Sequence, residues 1–315
     1  MSAKEGLSKR PPTGADLPLA NDSQTGDCGR SGGTLYHIVK KQHVGPNVKQ
    51  FIIAAPHVAR HCEPGQFVIL RVTADGERIP LTVASTDVVA GTITLYVQGV
   101  GRTTRLLNLL EQGESLADVA GPLGKPSDIA LYGTAVVVGG GVGTAIAYPV
   151  ARALANAGNK VIAVVGGRTR QHVLLEPELT RAGVKVAACT DDGSYGRHGF
   201  VTDALADVIA QEQVDIVFAA GPVVMMKAVA EVTRPHGIAT IASLNPVMVD
   251  GTGMCGGCRV DIGGDTKFAC VDGPEFDAHL VDFDLLARRN QAYLEFEARQ
   301  NAAMDHLVAD AEVTR

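Results

Sequence analysis

The amino-acid sequence predicts an antiparallel β-barrel, then an α/β doubly wound parallel sheet, then a small metal-binding loop module. Three observations carry that expectation. Short β-branched runs separated by turn signals occupy the first part of the chain. Continuous apolar runs alternating with helical stretches occupy the middle. Three of the six cysteines, Cys255, Cys258 and Cys270, fall in one glycine-rich window near the end.

Composition narrows the function classes. A chain of 315 residues exceeds one small core, so several domains are expected, and a hydrophobic fraction of 46% excludes whole-chain disorder. Lys plus Arg is 28 against 34 for Asp plus Glu, a net charge of −6. That balance argues against nucleic-acid binding, which needs clustered cations. Six cysteines in this length are too few for a disulfide scaffold.

Residues 1–33 are polar and rich in Gly, Ser, Pro and Asp, and they read as a flexible tail in which Cys28 is a free thiol. They hold no apolar core of signal-peptide length, so a cytoplasmic protein is expected. Strands are predicted at 34–40, 48–55, 67–72, 81–84 and 92–98, divided by turns such as Gly45-Pro46, Pro64-Gly65 and Asp75-Gly76. They assign 34–130 to a barrel. One helix interrupts it at 102–112, where Leu106, Leu107, Leu109 and Leu110 form an apolar face.

From residue 131 the rhythm changes. Runs at 135–138, 161–165, 184–188 and 216–219 alternate with helical stretches such as 144–157 and 201–210, and a strand at 238–243 closes the unit. The uncharged stretch 129–151 is of membrane-span length, but its glycines and Pro149 suit a strand, a turn and a helix better than a span. Residues 245–276 form the cysteine module. Residues 277–315 form a helical segment, amphipathic from about 283.

Three constellations carry chemistry. Gly139-Gly140-Gly141-Val142-Gly143-Thr144 follows a strand and opens a helix, so backbone N–H groups and the helix dipole can meet a pyrophosphate. The dinucleotide fingerprint is incomplete. Ile146 stands at the last glycine position, and the second strand ends in Gly166-Gly167-Arg168 without a carboxylate. Arg168 suits a phosphate or a solvated strand end. Second, Arg78-Ile79-Pro80-Leu81-Thr82 and Gly101-Arg102-Thr103-Thr104 offer a cation, a hydroxyl and a helix N-terminus. Alone they also read as a strand start and a helix cap. Third, Asp250, Cys255, Cys258 and Cys270 have the spacing D-x4-C-x2-C-x11-C. Plant-type [2Fe–2S] ligation is C-x4-C-x2-C…C, with Asp250 here in the first position. A zinc site of three cysteines completed by Asp250 or a distant His fits as well. His57 and His61 read as surface residues, and Cys62 and Cys189 as structural.

The motifs Arg78–Thr82, Gly139–Gly143, Thr190-Asp-Asp-Gly-Ser-Tyr-Gly196, Ala220-Gly-Pro222 with Met225-Met226, and Asp250–Cys258 occur in this order. Together they resemble the ferredoxin–NADP reductase superfamily. Within it they are similar to the small flavin and iron–sulfur subunits of NADH-dependent reduced ferredoxin:NADP oxidoreductases. The electron-transfer subunits of dihydroorotate dehydrogenase are near relatives, typically with Cys where Asp250 stands. The resemblance runs from about residue 34 to 289.

It implies an FAD barrel, an NAD(H) or NADP(H) domain and a [2Fe–2S] loop. Arg78 would face the FAD phosphate. Pro80, Leu81 and Thr82 would line the flavin, with Thr82 near N5, and Thr103 and Thr104 would cap the FAD pyrophosphate. Gly140, Gly141, Val142, Gly143 and Thr144 would hold the pyridine nucleotide, with Asp192 and Gly193 nearby and Arg168 suited to a 2′-phosphate. Gly221 and Pro222 would line the nicotinamide pocket. Asp250, Cys255, Cys258 and Cys270 would ligate the cluster. Hydride transfer needs no acid–base residue, so no catalytic side chain is expected. The resemblance further implies a larger flavin and iron–sulfur partner subunit and exchange with ferredoxin, in a bifurcating assembly. Two alternatives stand beside it: an NAD(P)-sensing regulator with structural zinc, and a dihydroorotate dehydrogenase electron-transfer subunit.

Overall fold

The computed structural model describes residues 36–302; the expected tail 1–33, with Cys28, and residues 303–315 lie outside them. Two antiparallel sheets come first. The elements are β1 (Tyr36–Gly45), β2 (Val48–Ala54), α1 (Pro56–His61), β3 (Phe67–Arg71), β4 (Arg78–Thr82), β5 (Ser85–Asp87), β6 (Thr92–Gln98), α2 (Arg102–Leu109), β7 (Ser115–Leu116) and β8 (Asp118–Leu123). The sheets run β5-β6-β2-β1-β7 and β4-β3-β8. Alternate residues such as Phe51 and Ile53 on β2, and Ile93 and Leu95 on β6, turn into a shared core with Val68, Leu70 and Leu107. A barrel-like wrap results. Helix α2 ends at Leu109 rather than 112, because Leu110 takes an extended backbone conformation.

The second unit is a seven-stranded sheet. Its elements are β9 (Thr134–Gly140), α3 (Gly143–Asn156), β10 (Lys160–Gly167), α4 (Glu176–Arg181), β11 (Lys185–Thr190), β12 (Arg197–His198), α5 (Val201–Gln211), β13 (Ile216–Ala220), α6 (Val223–Thr233) and β14 (Ala239–Ser243). The strand order is β12-β11-β10-β9-β13-β14, continued by a strand from the cluster module, and these six are parallel. Period-two alternation splits β9 between two cores. Ala135 and Val137 pack with Val150 and Leu154 of α3, and Val136 and Val138 pack with Leu205 of α5 and Met226 of α6. Both faces are covered, which is why the strands read as unbroken apolar runs.

Strand β14 is not the edge that the apolar pattern predicts. The cysteine module forms a hairpin, β15 (Arg259–Ile262) with β16 (Asp265–Phe268), then returns as β17 (Glu275–Asp277), antiparallel to β14. A strand of three residues carries too short a pattern to be seen in the sequence. Helix α7 (Phe283–Gln291) follows. The single C-terminal helix expected from about 283 is interrupted at 292–293, and helix resumes over 294–302. The uncharged stretch 129–151 contains β9 and part of α3, and no described helix is long and apolar enough to cross a membrane.

Glu275 sits where the modules meet. Its carboxylate accepts a hydrogen bond from Ser127 Oγ at 2.7 Å, just beyond the barrel, and its backbone pairs with Ser243. Apolar neighbours Ile146, Val150 and Phe218 surround it. Burial pushes its carboxyl from 4.5 up to about 7, against a smaller opposing effect of the Ser127 hydrogen bond. The folded chain therefore keeps a proton that the unfolded chain releases. Between pH 4.5 and about 7 the native state binds more protons, so stability falls as pH rises through that window. The loss amounts to about 3 kcal/mol. Urea unfolding across pH 4 to 8 checks this: Glu275→Gln should flatten the dependence, and an unchanged slope in that variant would remove the assignment.

Candidate cofactor-binding site

The strand order reverses direction at β9, with β10 on one side and β13 on the other. Loops leaving the carboxyl ends of such strands part and open a crevice. Here it is a cleft of about 830 Å³ whose lining includes Gly140, Gly141, Val142, Gly143, Arg168, Gly221 and Pro222. The loop is shaped by two demands. Gly141 has φ +56 and open space where a side chain would project, so ligand can approach its backbone. At Gly143 a Cβ would lie 2.3 Å from the Ala220 carbonyl oxygen, so only glycine lets α3 start this close to β13. The N-terminus of the fourteen-residue α3 thus meets the cleft with its positive dipole, while the Thr144 and Ala145 N–H groups already donate to the Gly141 and Val142 carbonyls.

A second pocket of about 350 Å³ adjoins it, between the barrel and the segment after β14. Pro80, Leu81 and Thr82 of β4, Tyr96 and Gln98 of β6, and Thr104 of α2 face Ser243, Asn245 and Met248. Gln98, Val100, Val142, Ile146 and Asn245 line both spaces, so groups bound in each would be neighbours. Burial pushes the Tyr96 hydroxyl up to about 12, and Gln50 Nε2 donates to it at 2.7 Å, so it stays protonated in the pocket floor. Gln98, Tyr96, Asn245 and Phe200 are lining residues that sequence reasoning missed, each within or beside a predicted strand or quoted motif but with no pattern of its own; Met225, quoted within a motif, also lines the cleft.

Several predicted residues stand elsewhere. Thr144 is 1% exposed, behind the glycine loop, with its hydroxyl lacking a partner. Helical periodicity turns it inward, so only the loop backbone faces the cleft. Thr103 is also buried, and its hydroxyl donates to Glu77. Thr104 does face the pocket, but its hydroxyl already accepts from the N–H groups of Val100 and Gly101. Arg78 is exposed, opposite Arg71 in the β3–β4 register, and is not part of the pocket lining. Asp192 and Gly193 form a tight turn outside the cleft, with Asp192 accepting from Ser194 N–H at 2.9 Å; the adjoining Asp191 lines the cleft instead.

The four candidate metal ligands fall into two pairs. Cys258 Sγ and Cys270 Sγ lie 3.2 Å apart, both buried. Two thiolates on one tetrahedral metal stand roughly 3.8 Å apart, given a metal–sulfur bond of about 2.3 Å. Burial and the neighbouring Cys258 push the Cys270 thiol up, so a bound metal would have to displace that proton. Asp250 accepts N–H bonds from Thr252 and Cys255 at 2.9 Å each, which hold its carboxyl below the usual carboxylate range. Cys255 is exposed and accepts the Gly257 N–H at 3.5 Å. Among the described residues no three His, Cys, Asp or Glu side chains converge on one metal-ion position. Cys258 and Cys270 are therefore close enough to share one metal, with Asp250 and Cys255 held together in the preceding turn.

Comparison with known proteins agrees with this geometry. Residues 36–127 match the oxidoreductase FAD-binding domain, 137–231 the oxidoreductase NAD-binding domain, and 245–282 the iron–sulfur cluster binding domain of dihydroorotate dehydrogenase B. Fold and matches together define a flavin-dependent oxidoreductase subunit with FAD-, NAD- and iron–sulfur-binding domains. A Thermotoga maritima protein named as a homolog of the dihydroorotate dehydrogenase B (NAD(+)) electron transfer subunit is 47% identical over 267 residues, covering 84% of this chain and 94% of its own. The corresponding subunit of Geobacillus thermodenitrificans is 36% identical, over 76% of this chain and 95% of its own. A solved structure of an NADH-dependent reduced ferredoxin–NADP oxidoreductase, described in terms of flavin-based electron bifurcation, superposes with a TM-score of 0.82 at 44% identity. It covers 87% of this chain and 99% of that chain. The chain therefore belongs to the ferredoxin–NADP reductase-like family of electron-transfer subunits that carry a dihydroorotate dehydrogenase B-type iron–sulfur domain.

The close packing at the glycine loop is open to test. In Gly143→Ala the added methyl would press on the backbone of Ala220 and Gly221. We expect a loss of about 1–3 kcal/mol in urea unfolding together with weaker pyridine-nucleotide binding. A variant with wild-type stability and affinity would show that α3 can retreat from β13 at no cost.

Proposed function

We propose that this chain passes electrons between NAD(P)H and ferredoxin, in a complex with a larger flavin and iron–sulfur subunit of the electron-bifurcating type. The observation that carries the reading is the shared wall. Gln98, Val100 and Asn245 belong both to the cleft with the glycine loop and to the pocket beside β4. A nicotinamide in the first and a flavin in the second would be neighbours there. In this reading 34–130 binds FAD, 131–244 binds the pyridine nucleotide, and 245–276 holds the cluster. Bound FAD supplies the conversion between a two-electron hydride and the single electrons that a [2Fe–2S] cluster carries. The chain's own residues position and insulate: Pro80, Leu81 and Thr82 shape the flavin pocket, the Gly140–Gly143 backbone faces the nucleotide, and Asp250, Cys255, Cys258 and Cys270 take the irons.

Likeness to the oxidoreductase described for electron bifurcation and Asp250 at the first ligand position support this assignment. The names of the dihydroorotate dehydrogenase relatives favour a second reading, in which the larger partner oxidises dihydroorotate. The zinc-regulator alternative is disfavoured by the match of residues 245–282 to the iron–sulfur cluster binding domain of dihydroorotate dehydrogenase B.

Visible absorption, EPR and metal analysis of the purified chain decide the cofactor set. Flavin bands, iron–sulfur absorption and two irons per chain are the expected result; a colourless zinc protein would end the proposal. Asp250→Cys should lower the cluster's reduction potential and alter its EPR spectrum, because a thiolate donates more charge to iron than a carboxylate. An unchanged potential and spectrum would take Asp250 out of the ligand set. Stimulation of NAD(P)H oxidation by dihydroorotate dehydrogenase rather than by a ferredoxin-linked partner would favour the second reading.

A further inference from the structure

Helix α7 is anchored against the cysteine module. Phe283 and Leu286 are buried in the core that also contains Cys258 and Cys270, and Asp282 caps the helix by accepting the Leu285 N–H at 2.8 Å. Arg289 lies one turn beyond Leu286, on the same face of the helix. Its Nη2 donates to the Gly257 carbonyl at 3.2 Å. The next residue, Asn290, donates through Nδ2 to the Asn245 carbonyl at 3.3 Å. The last turn of α7 therefore braces both ends of the segment 245–257.

Gly257 stands between two ligand positions. Its N–H donates to Cys255 Sγ at 3.5 Å, and its carbonyl opens the peptide that leads into Cys258. A guanidinium on that carbonyl fixes the short connection from the exposed cysteine to the buried one. Charge separates this contact from ordinary packing. Arg71, Arg181 and Arg197 pair with carboxylates, whereas Arg289, although half-buried, pairs with none among the described residues. Arg288 in the same last turn is exposed and serves the helix dipole equally well, so the dipole does not account for turning Arg289 inward. Arg259 brings a second cation to the loop: a Cβ on Gly256 would fall 3.2 Å from its Nη1. A half-buried cation is unfavourable unless an anion is close. A [2Fe–2S] cluster with four anionic ligands is such an anion, and it gains a further negative charge on reduction.

We propose that Arg289 is a positioning residue of the cluster: it clamps the loop between Cys255 and Cys258 through Gly257, and its cation raises the reduction potential by favouring the more negative, reduced form. The inference rests on reading Asp250, Cys255, Cys258 and Cys270 as [2Fe–2S] ligands. Its physical basis is the dependence of cluster potentials on nearby charge and on the hydrogen bonds that orient the ligands.

The test is an anaerobic, EPR-monitored redox titration of the full chain, comparing wild type with Arg289→Gln, Arg289→Lys and Arg288→Gln. Arg289→Gln should shift the one-electron equilibrium about tenfold against the reduced form, which lowers the midpoint potential by about 59 mV. Arg289→Lys keeps the charge and a donor, so it should retain most of the wild-type potential. Arg288→Gln removes the same charge from an exposed site on the same helix, where water and salt screen it, and should leave the midpoint unchanged. Loss of iron in Arg289→Gln but not in Arg289→Lys would also support the proposal, as a cation needed to hold the anionic cluster. An unchanged midpoint in Arg289→Gln would overturn it. So would an equal fall in Arg289→Lys, or loss of iron in both variants, because either result assigns the effect to the shape of the guanidinium rather than to its charge. An equal fall in Arg288→Gln would overturn it as well, by reducing the effect to the net charge of the chain. A wild-type chain that carries no iron would overturn the cluster reading itself, which separates that failure from a failure of Arg289.

Discussion

One apolar core ties the cofactor-binding regions together. It begins at Phe67 and Ile69 of the barrel, crosses one face of the parallel sheet through Val136, Val138 and Val217, and ends at Cys258, Val260, Cys270 and Phe283. Two candidate cluster ligands are thus core residues, packed as tightly as the valines beside them. The distance from cluster to flavin pocket is set by side-chain packing rather than by a flexible loop. Electron transfer depends on such distances, so the continuity of this core matters more than the strength of any single contact within it. Surface ion pairs such as Lys160–Glu212 and Lys227–Asp284 lie outside it and add little.

The same core explains why the two cysteine pairs differ. Cys258 and Cys270 are buried and close, whereas Asp250 is half-buried and Cys255 exposed in a turn held by backbone N–H donors. One iron would be fixed by the interior and the other by the loop. This second pair lies nearer solvent, with Met254 beside Cys255 89% exposed. A carboxylate ligand is suited to that side, because its charge is hydrated there and would be costly in the interior.

Much of this was legible in the sequence because the signals were periodic or densely spaced. The valine runs at 135–138 and 161–165, the glycine loop and the D-x4-C-x2-C spacing each name a local geometry. What escaped was set by tertiary contact. Thr144 and Thr103 resemble phosphate ligands by type and position, yet each faces inward, and only the helix rotation against its neighbours decides that. Asp191 rather than Asp192 lines the cleft because the turn at Gly193 swings the second carboxylate away. Phe200 carried no signal, since one aromatic before a helix is ordinary until the cleft beside it is known. Strand β17 was invisible because three residues make no pattern.

That last strand has a consequence for how such a protein could arise. Ser243 at the end of β14 and Glu275 at the start of β17 are register partners, so the chain leaves the sheet and returns at the same place. Residues 244–274 are in effect an excursion from a hairpin between two neighbouring strands. Removing them would leave a sheet that a short turn could close, with its strand order unaltered. The cluster module is thus an insertion between two neighbouring strands, so a redox centre hangs from this sheet without altering the order of the strands that carry the nucleotide cleft.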